Sequence, residues 1–251
     1  MEKTLAIVMG SVRFAETSKI VQLFTRQFGR MSVAAKGASR KGSPFAATLE
    51  PFSLCEFIIS VKKGRDVQTL ANATIVDHFG RIRESELLLP AAQVGIELLR
   101  KTVHEDEPLP QLFELLAAYL RRLNVSGEKD RTYVDKVIWM YMLYFLKVMG
   151  FAPIFNACIS CGSITFGATA AVSPRAGGAL CSSCGIAHTD SVWLPERTLG
   201  FLGSLLALPI DALEPVAIPN REVVGSVILS LLQAHFEQEL VLNSLAFYNR
   251  V

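Results

Sequence analysis

Cys158, Cys161, Cys181 and Cys184 are spaced as C-x2-C, nineteen residues, and a second C-x2-C. Folded in a tight turn, each pair points two thiolates at one place, and two such turns complete the tetrahedron that Zn²⁺ prefers. Gly162 and Gly185 follow the second cysteine of each pair, where the chain must turn with little side-chain bulk in the way. The spacing predicts a zinc ribbon or knuckle over 155–188. With thiolates at all four positions no ligand place is open for a catalytic water, so the metal is expected to organise the fold. The competing readings are two disulfides, a redox C-x-x-C, and a site that binds nothing. Disulfides fit poorly with a start, Met1-Glu2-Lys3, that lacks the pattern of a secretory signal. A redox motif would occur once, near a βαβ pattern that the chain does not show. His188 is a spare donor that four thiolates do not need, and Cys55, alone in the apolar run Phe52 to Val61, reads as a buried core thiol.

Other chemistry is poorly represented. There is no P-loop, no H-E-x-x-H and no G-x-S-x-G, and His78, His104, His188 and His235 are scattered, so the expectation is a binding protein and not an enzyme. Despite a mean hydropathy of +0.35, the apolar stretch Ile138 to Leu146, even with Val137 before it, is far short of the roughly 20 residues of a membrane span. A cytoplasmic protein is expected.

The net charge of +2 is unevenly divided. Residues 1–83 carry 13 Lys/Arg against 6 Asp/Glu, a balance of +7, and residues 84–251 carry 12 against 17, a balance of −5. A basic third of this kind points to a polyanion, nucleic acid above all, against the plainer reading of a solvated cationic surface. Its texture is β: Leu5 to Val12, Ser18 to Phe28, Met31 to Lys36, Leu49 to Val61 and Val67 to Phe79 combine β-branched or aromatic residues with bounding Gly, Pro, Ser or Asp. Five short strands in about eighty residues predict an OB-fold barrel, a scaffold for single-stranded nucleic acid. Between the third and fourth strands a Gly- and Ser-rich loop carries Lys36, Arg40 and Lys41, which form the centre of a candidate phosphate track that Arg13, Arg26 and Arg30 extend. Phe14, Phe28 and Phe45 flank these cations and are candidates for stacking on bases, although phenylalanine in a barrel is more often core.

From about residue 87 the period changes to 3.6. Leu112, Phe113, Leu115, Leu116, Tyr119, Leu120 and Leu123 make one wide apolar helix face, and Pro90 and Pro110 suit first turns of helices. A helix over Arg131 to Met149, apolar on every side in its middle, should be the centre of a bundle and stop at Gly150. Leu194 to Leu208 and Glu222 to Tyr248 again read as helical, with Asn220 as N-cap of the last. The expected organisation is α+β: an OB-fold domain over 1–82, a helical domain over 83–154 and 189–251, and the cysteine segment, 155–188, inserted in it.

Taken in order, Glu16-Thr17-Ser18, Leu23-Phe24-Thr25-Arg26, Ala35-Lys36-Gly37-Ala38-Ser39-Arg40, Leu49-Glu50-Pro51-Phe52, Gly150-Phe151-Ala152-Pro153 and Gly177-Gly178 before Cys181 resemble the bacterial RecO recombination-mediator family over nearly the whole chain. Where that family usually has a glycine before the Glu16 segment, Ala15 stands here. The resemblance implies an OB-fold followed by a helical domain with a zinc-finger-like segment. It also implies binding to single- and double-stranded DNA, annealing of complementary strands, and loading of RecA onto DNA coated with single-stranded-DNA-binding protein. The implied partners are RecR and the C-terminal tail of the single-stranded-DNA-binding protein, for which Arg121, Arg122 and Lys147 are candidate cations, and the implied location is the nucleoid. The reading from another class is a zinc-bearing OB-fold module that binds RNA or serves transcription without annealing.

Overall fold

Alternation of apolar and polar residues over the first 77 positions builds five strands: β1 (Glu2–Phe14), β2 (Ser18–Thr25), β3 (Gly29–Ala35), β4 (Leu54–Ser60) and β5 (Val67–Asp77). The computed structural model describes residues 1–125, 130–208, 217–236 and 240–251. The strands close into a barrel in the order β1-β2-β3-β5-β4, with β1 also paired to β4 and a short parallel join of Ser32–Ala34 to Val67–Thr69. This is the OB-like barrel that the sequence predicts. Ala6, Val8, Val21, Leu23, Met31, Val33, Ala35, Phe57, Ile59 and Leu70 fill its interior, plugged by Ala38 and Leu49 from the connection between β3 and β4.

A register shift between Val8 and Gly10 marks a β-bulge in β1. Before it, the even-numbered Ala6 and Val8 face the interior. After it, Ser11 pairs with the interior Val21 and Val12 pairs with Ile20, so the two faces of β1 are exchanged. Beyond the bulge, β1 and β2 continue as a hairpin to Phe14 and Ser18, with β3 still paired to β2 as far as Lys19.

Two compact units form, Met1–Gly127 with Phe247–Val251 and Glu128–Ala246. The first adds α1 (Gly80–Glu84), α2 (Leu88–Thr102) and α3 (Pro110–Val125) to the barrel. The apolar face from Leu112 to Leu123 is buried as its spacing predicts. Gly95 lets α2 and α3 approach closely: a Cβ there would lie 2.8 Å from the Tyr119 ring, whose hydroxyl donates to the Ala91 carbonyl.

In the second unit α4 (Arg131–Val148) is buried from Val134 to Leu146 except at Tyr144. Asp130 caps its start by accepting from the Tyr133 amide. Gly150, at φ +88°, follows its end. The cysteine segment supplies β6 (Thr169–Ser173), β7 (Gly178–Leu180) and the single turn α5 (Ser182–Gly185), and β8 (Val192–Pro195) beyond it completes a sheet with β6 in the middle, so Leu194 and Pro195, expected in a helix, are in a strand. Then come α6 (Glu196–Ala207), α7 (Arg221–His235) and α8 (Asn243–Tyr248), the last crossing back into the first unit. The single long helix expected over Glu222 to Tyr248 is instead two: α7 stops at His235 and Phe236 is extended, while 237–239 lie outside the described residues. Asn220 does cap α7, accepting from the Val223 amide at 3.1 Å. Beneath α7 the Arg221 guanidinium donates twice to the buried Asp135 carboxylate of α4, at 2.6 and 2.9 Å.

Candidate nucleic-acid interface and metal centre

The barrel has two unlike ends. At the end where β2 turns into β3, the loop from Val103 to Glu107 lies against the turn: the Asp106 amide donates to the Arg30 carbonyl, and a Cβ on Gly29 would fall 2.0 Å from the Glu107 carbonyl oxygen. Arg30 is taken up by this packing. Its guanidinium donates to the Arg100 carbonyl at 3.0 Å and to the Val103 carbonyl, at the C-terminal end of α2, where a cation meets the helix dipole. Arg26 pairs with Glu114 of α3 at 2.9 Å with both groups half exposed. Phe24, on the outer face opposite Arg30, is buried with its ring 6.1 Å from that of Phe113. Part of the outer β2–β3 surface is therefore covered by the unit's own helices.

The other end, plugged by the β3–β4 connection, is cationic on its surface. The register sets Arg13 directly opposite Lys19, and Lys19 opposite Ala35, one residue before Lys36. The Ser39 amide donates to the Thr17 carbonyl at 3.0 Å, which ties the loop carrying Arg40 and Lys41 to the β1–β2 turn. Arg13, Lys36, Arg40 and Lys41 are exposed, and none is in an ion pair among the described residues. Of the six cations in the expected track, four thus gather at this end, and Arg26 and Arg30 stand at the other. Lys19, which the sequence offers with Lys62, Lys63 and Arg65 as a further extension of the track, joins the four through the hairpin register. Lys62, Lys63 and Arg65 are exposed on the β4–β5 connection, at the end where β1 begins. Phe28 and Phe45 pack against the barrel core, while Phe14 is 55 % exposed.

The cysteines converge in the second unit. Their four Sγ atoms lie within 4.8 Å of one another, and Cys161 and Cys181 are 3.8 Å apart. A tetrahedral Zn–S bond of about 2.3 Å sets an S–S edge of about 3.8 Å, so the cluster has the dimensions of a metal site. The first pair sits in a turn closed by the Gly162 amide on the Cys158 carbonyl, with Gly162 at φ +74°. The second pair brackets α5, where the Gly185 amide donates to the Cys181 carbonyl. Gly185 has an ordinary φ, and its role is spatial, since a Cβ would come within 2.9 Å of Ala171 and 3.0 Å of the Trp193 ring. Burial opposes ionisation of Cys158, but the backbone amides of Cys181, Cys161 and Ser160 outweigh it and bring the thiol down to about 6. Hydrogen bonds to Cys181 and Cys161 push Cys184 the other way, to about 12. Four thiols so close resist losing all their protons together, and a divalent cation relieves that repulsion. His188 is engaged with Ser160 at 3.2 Å and is not part of the cluster. Cys55 is buried, its thiol raised to about 11 by burial.

A closed OB-like barrel with one cationic end, followed by a helical region with a four-thiol cluster, defines a protein of the OB-barrel class. The N-terminal model of recombination protein O matches residues 1–79 and its C-terminal model matches residues 87–243. The chain is 34 % identical to a DNA repair protein RecO of Nocardioides sp. over 98 % of both chains. It is 31 % identical to those of Myxococcus xanthus, over 92 % of this chain and 90 % of the other, and of Geobacter metallireducens, over 99 % and 97 %. The chain belongs to the RecO family of DNA repair proteins, and its role lies in recombinational repair. Among the described residues no helix is long and apolar enough to cross a membrane.

Proposed function

We propose that this protein is a recombination mediator that binds DNA through the cationic end of its barrel, anneals complementary single strands and, with RecR, helps load RecA onto DNA coated with single-stranded-DNA-binding protein. The observation that carries the reading is the gathering of Arg13, Lys36, Arg40 and Lys41, exposed and without carboxylate partners among the described residues, on a β1–β2 turn and loop held together by the Ser39–Thr17 hydrogen bond. Annealing needs no catalytic group. Cations on phosphates lower the repulsion between two strands, and sequence-independent contacts let register be sampled until base pairing takes over. Arg26 and Arg30 are peripheral to this surface, since Glu114 and the end of α2 engage them.

Cys158, Cys161, Cys181 and Cys184 would hold a structural Zn²⁺, whose part is to cross-link the two turns. For the tail of the single-stranded-DNA-binding protein, an acidic peptide with an apolar end, the second unit offers a groove of about 440 Å³. Gly200, Phe201, Ala217 and Pro219 line it, and Arg197 supplies the cation. These activities would bring the protein to the nucleoid.

The test is annealing of two complementary fluorescent oligonucleotides, coated with the cognate single-stranded-DNA-binding protein, over a salt series. Annealing is expected to fall with salt. Arg40→Ala with Lys41→Ala should weaken binding evenly across sequences and flatten the salt dependence by about two counterions. An unchanged affinity and slope in that variant would remove the loop from the interface.

A further inference from the structure

The cationic end carries an apolar feature that phosphate binding does not use. Val12 is 65 % and Phe14 55 % exposed, both near the tip of the β1–β2 hairpin. The bulge between Val8 and Gly10 puts them there: without it, the even-numbered positions of β1 would continue on the interior face with Ala6 and Val8. With it, Val12 pairs with Ile20 and Phe14 with Ser18 on the outer face, while Arg13 and Lys19 form the row on the opposite face. A bulge that re-aims side chains next to a functional surface is a recurring device of sheets. Elsewhere on the outer face of β1 and β2 the large apolar residues are covered, as Ile7 and Phe24, paired to each other, are buried. Phe28 and Phe45 are in the barrel core packing, which leaves Phe14 as the ring of the three that is free to meet a base.

We propose that Phe14, backed by Val12, is a base-stacking platform that makes this end of the barrel favour unpaired strands over duplex. The inference rests on the DNA-binding reading above and adds the form of the substrate. Phosphates are common to single strands and duplexes, so the cations of Arg13, Lys36, Arg40 and Lys41 serve both. Base faces are available only where the strand is unpaired, and an aromatic ring at a hairpin tip whose other face and neighbouring loop carry the cations stacks on any of the four bases. A surface built this way holds a single strand until pairing removes its base faces, and then retains the duplex only by its phosphates.

The experiment measures equilibrium binding of the full chain, over a salt series, to a single-stranded oligonucleotide, a blunt duplex of the same length, and an abasic single strand that keeps the phosphates and lacks the bases. Phe14→Ala is expected to lower single-strand affinity about tenfold, in line with aromatic–base stacking, and to leave duplex affinity, abasic-strand affinity and the salt slope unchanged. Phe14→Trp should keep single-strand affinity, and its added emission, above that of Trp139 and Trp193, should be quenched by the single strand and not by the abasic one. The proposal is overturned if the wild type binds DNA with a salt dependence and Phe14→Ala weakens all three ligands alike, or none. A wild type that binds none of the three overturns the DNA-binding reading and this proposal with it.

Discussion

Ala15 illustrates how one residue can carry a cost that its neighbours conceal. It occupies the β1–β2 turn at φ +56°, a left-handed conformation in which a Cβ crowds the backbone by about 1–2 kcal/mol. The family resemblance, which places a glycine here, agrees with that geometry. Ala15→Gly is therefore expected to stabilise the barrel, by about 1 kcal/mol at most, because glycine also gains entropy in the unfolded chain; urea unfolding followed by circular dichroism would measure it, and no gain would mean that the turn tolerates alanine without strain. The cysteines differ from one another just as sharply. Cys55 is fully buried, donates to the Thr48 carbonyl at 3.4 Å and has its thiol raised to about 11. Its folded form keeps its proton through neutral pH, so any stability gained this way is present below the free-thiol value and is lost as pH rises through about 11. Alkylation of the native, chelator-treated protein at pH 8 should accordingly label the exposed Cys161 and spare Cys55, as mass spectrometry of the peptides would read. Labelling of Cys55 at a comparable rate would show that the barrel opens locally at Cys55.

At the scale of elements, the parts that repeat a period were legible and the parts set by long-range packing were not. The five strands follow from alternation, and α4 from an apolar run bounded by Asp130 and Gly150. The sheet β6–β8 was missed because strands of three to five residues, such as Gly178–Leu180, are too short to show a period. The end of α7 was missed because Phe236 is apolar and in phase with the helix before it, yet its ring is placed against Phe145 and Phe151. Arg30 looks in sequence like any cation of the basic third; only the fold brings it to the end of α2. Arg30→Ala should thus cost about 1–3 kcal/mol in unfolding free energy, through loss of charge-assisted hydrogen bonds, with little change in the salt slope of DNA binding. A flatter slope with unaltered stability would return Arg30 to the phosphate track. Gly225 tests the converse. A Cβ there would lie 3.6 Å from the nearest Trp139 atom, an ordinary contact, so Gly225→Ala should recover part of the roughly 1 kcal/mol that glycine costs a helix and raise the melting temperature.

For the molecule as a whole, charge separates the work of its two units. The cysteine segment was legible from spacing alone, but its surroundings show what spacing could not: residues 151–195 hold one cation, Arg175, and one carboxylate, Asp190, among their Lys, Arg, Asp and Glu. These two are neighbours, for Asp190 accepts from the Arg175 amide and the Ser173 hydroxyl, which hold its carboxyl below the usual range against the opposing effect of burial. A segment with a single cation beside a carboxylate contributes little to counterion release, whereas the barrel end carries at least four exposed cations. Removal of metal should therefore act on stability and leave the electrostatics of DNA binding in place. With chelator, or with Cys158→Ser and Cys161→Ser together, bound zinc should fall from about one per chain to none. Amide exchange should quicken in β6 to β8 and around the two turns, since the metal's binding free energy goes into holding these turns together. The slope of log affinity for single-stranded DNA against log salt should stay as in the wild type, because the proposed phosphate surface, Arg13, Lys36, Arg40 and Lys41, belongs to the other unit. A slope that flattens on metal removal, with amide exchange in the barrel unchanged, would mean that the cysteine segment itself touches the phosphate backbone, and the division of labour drawn from charge would fail.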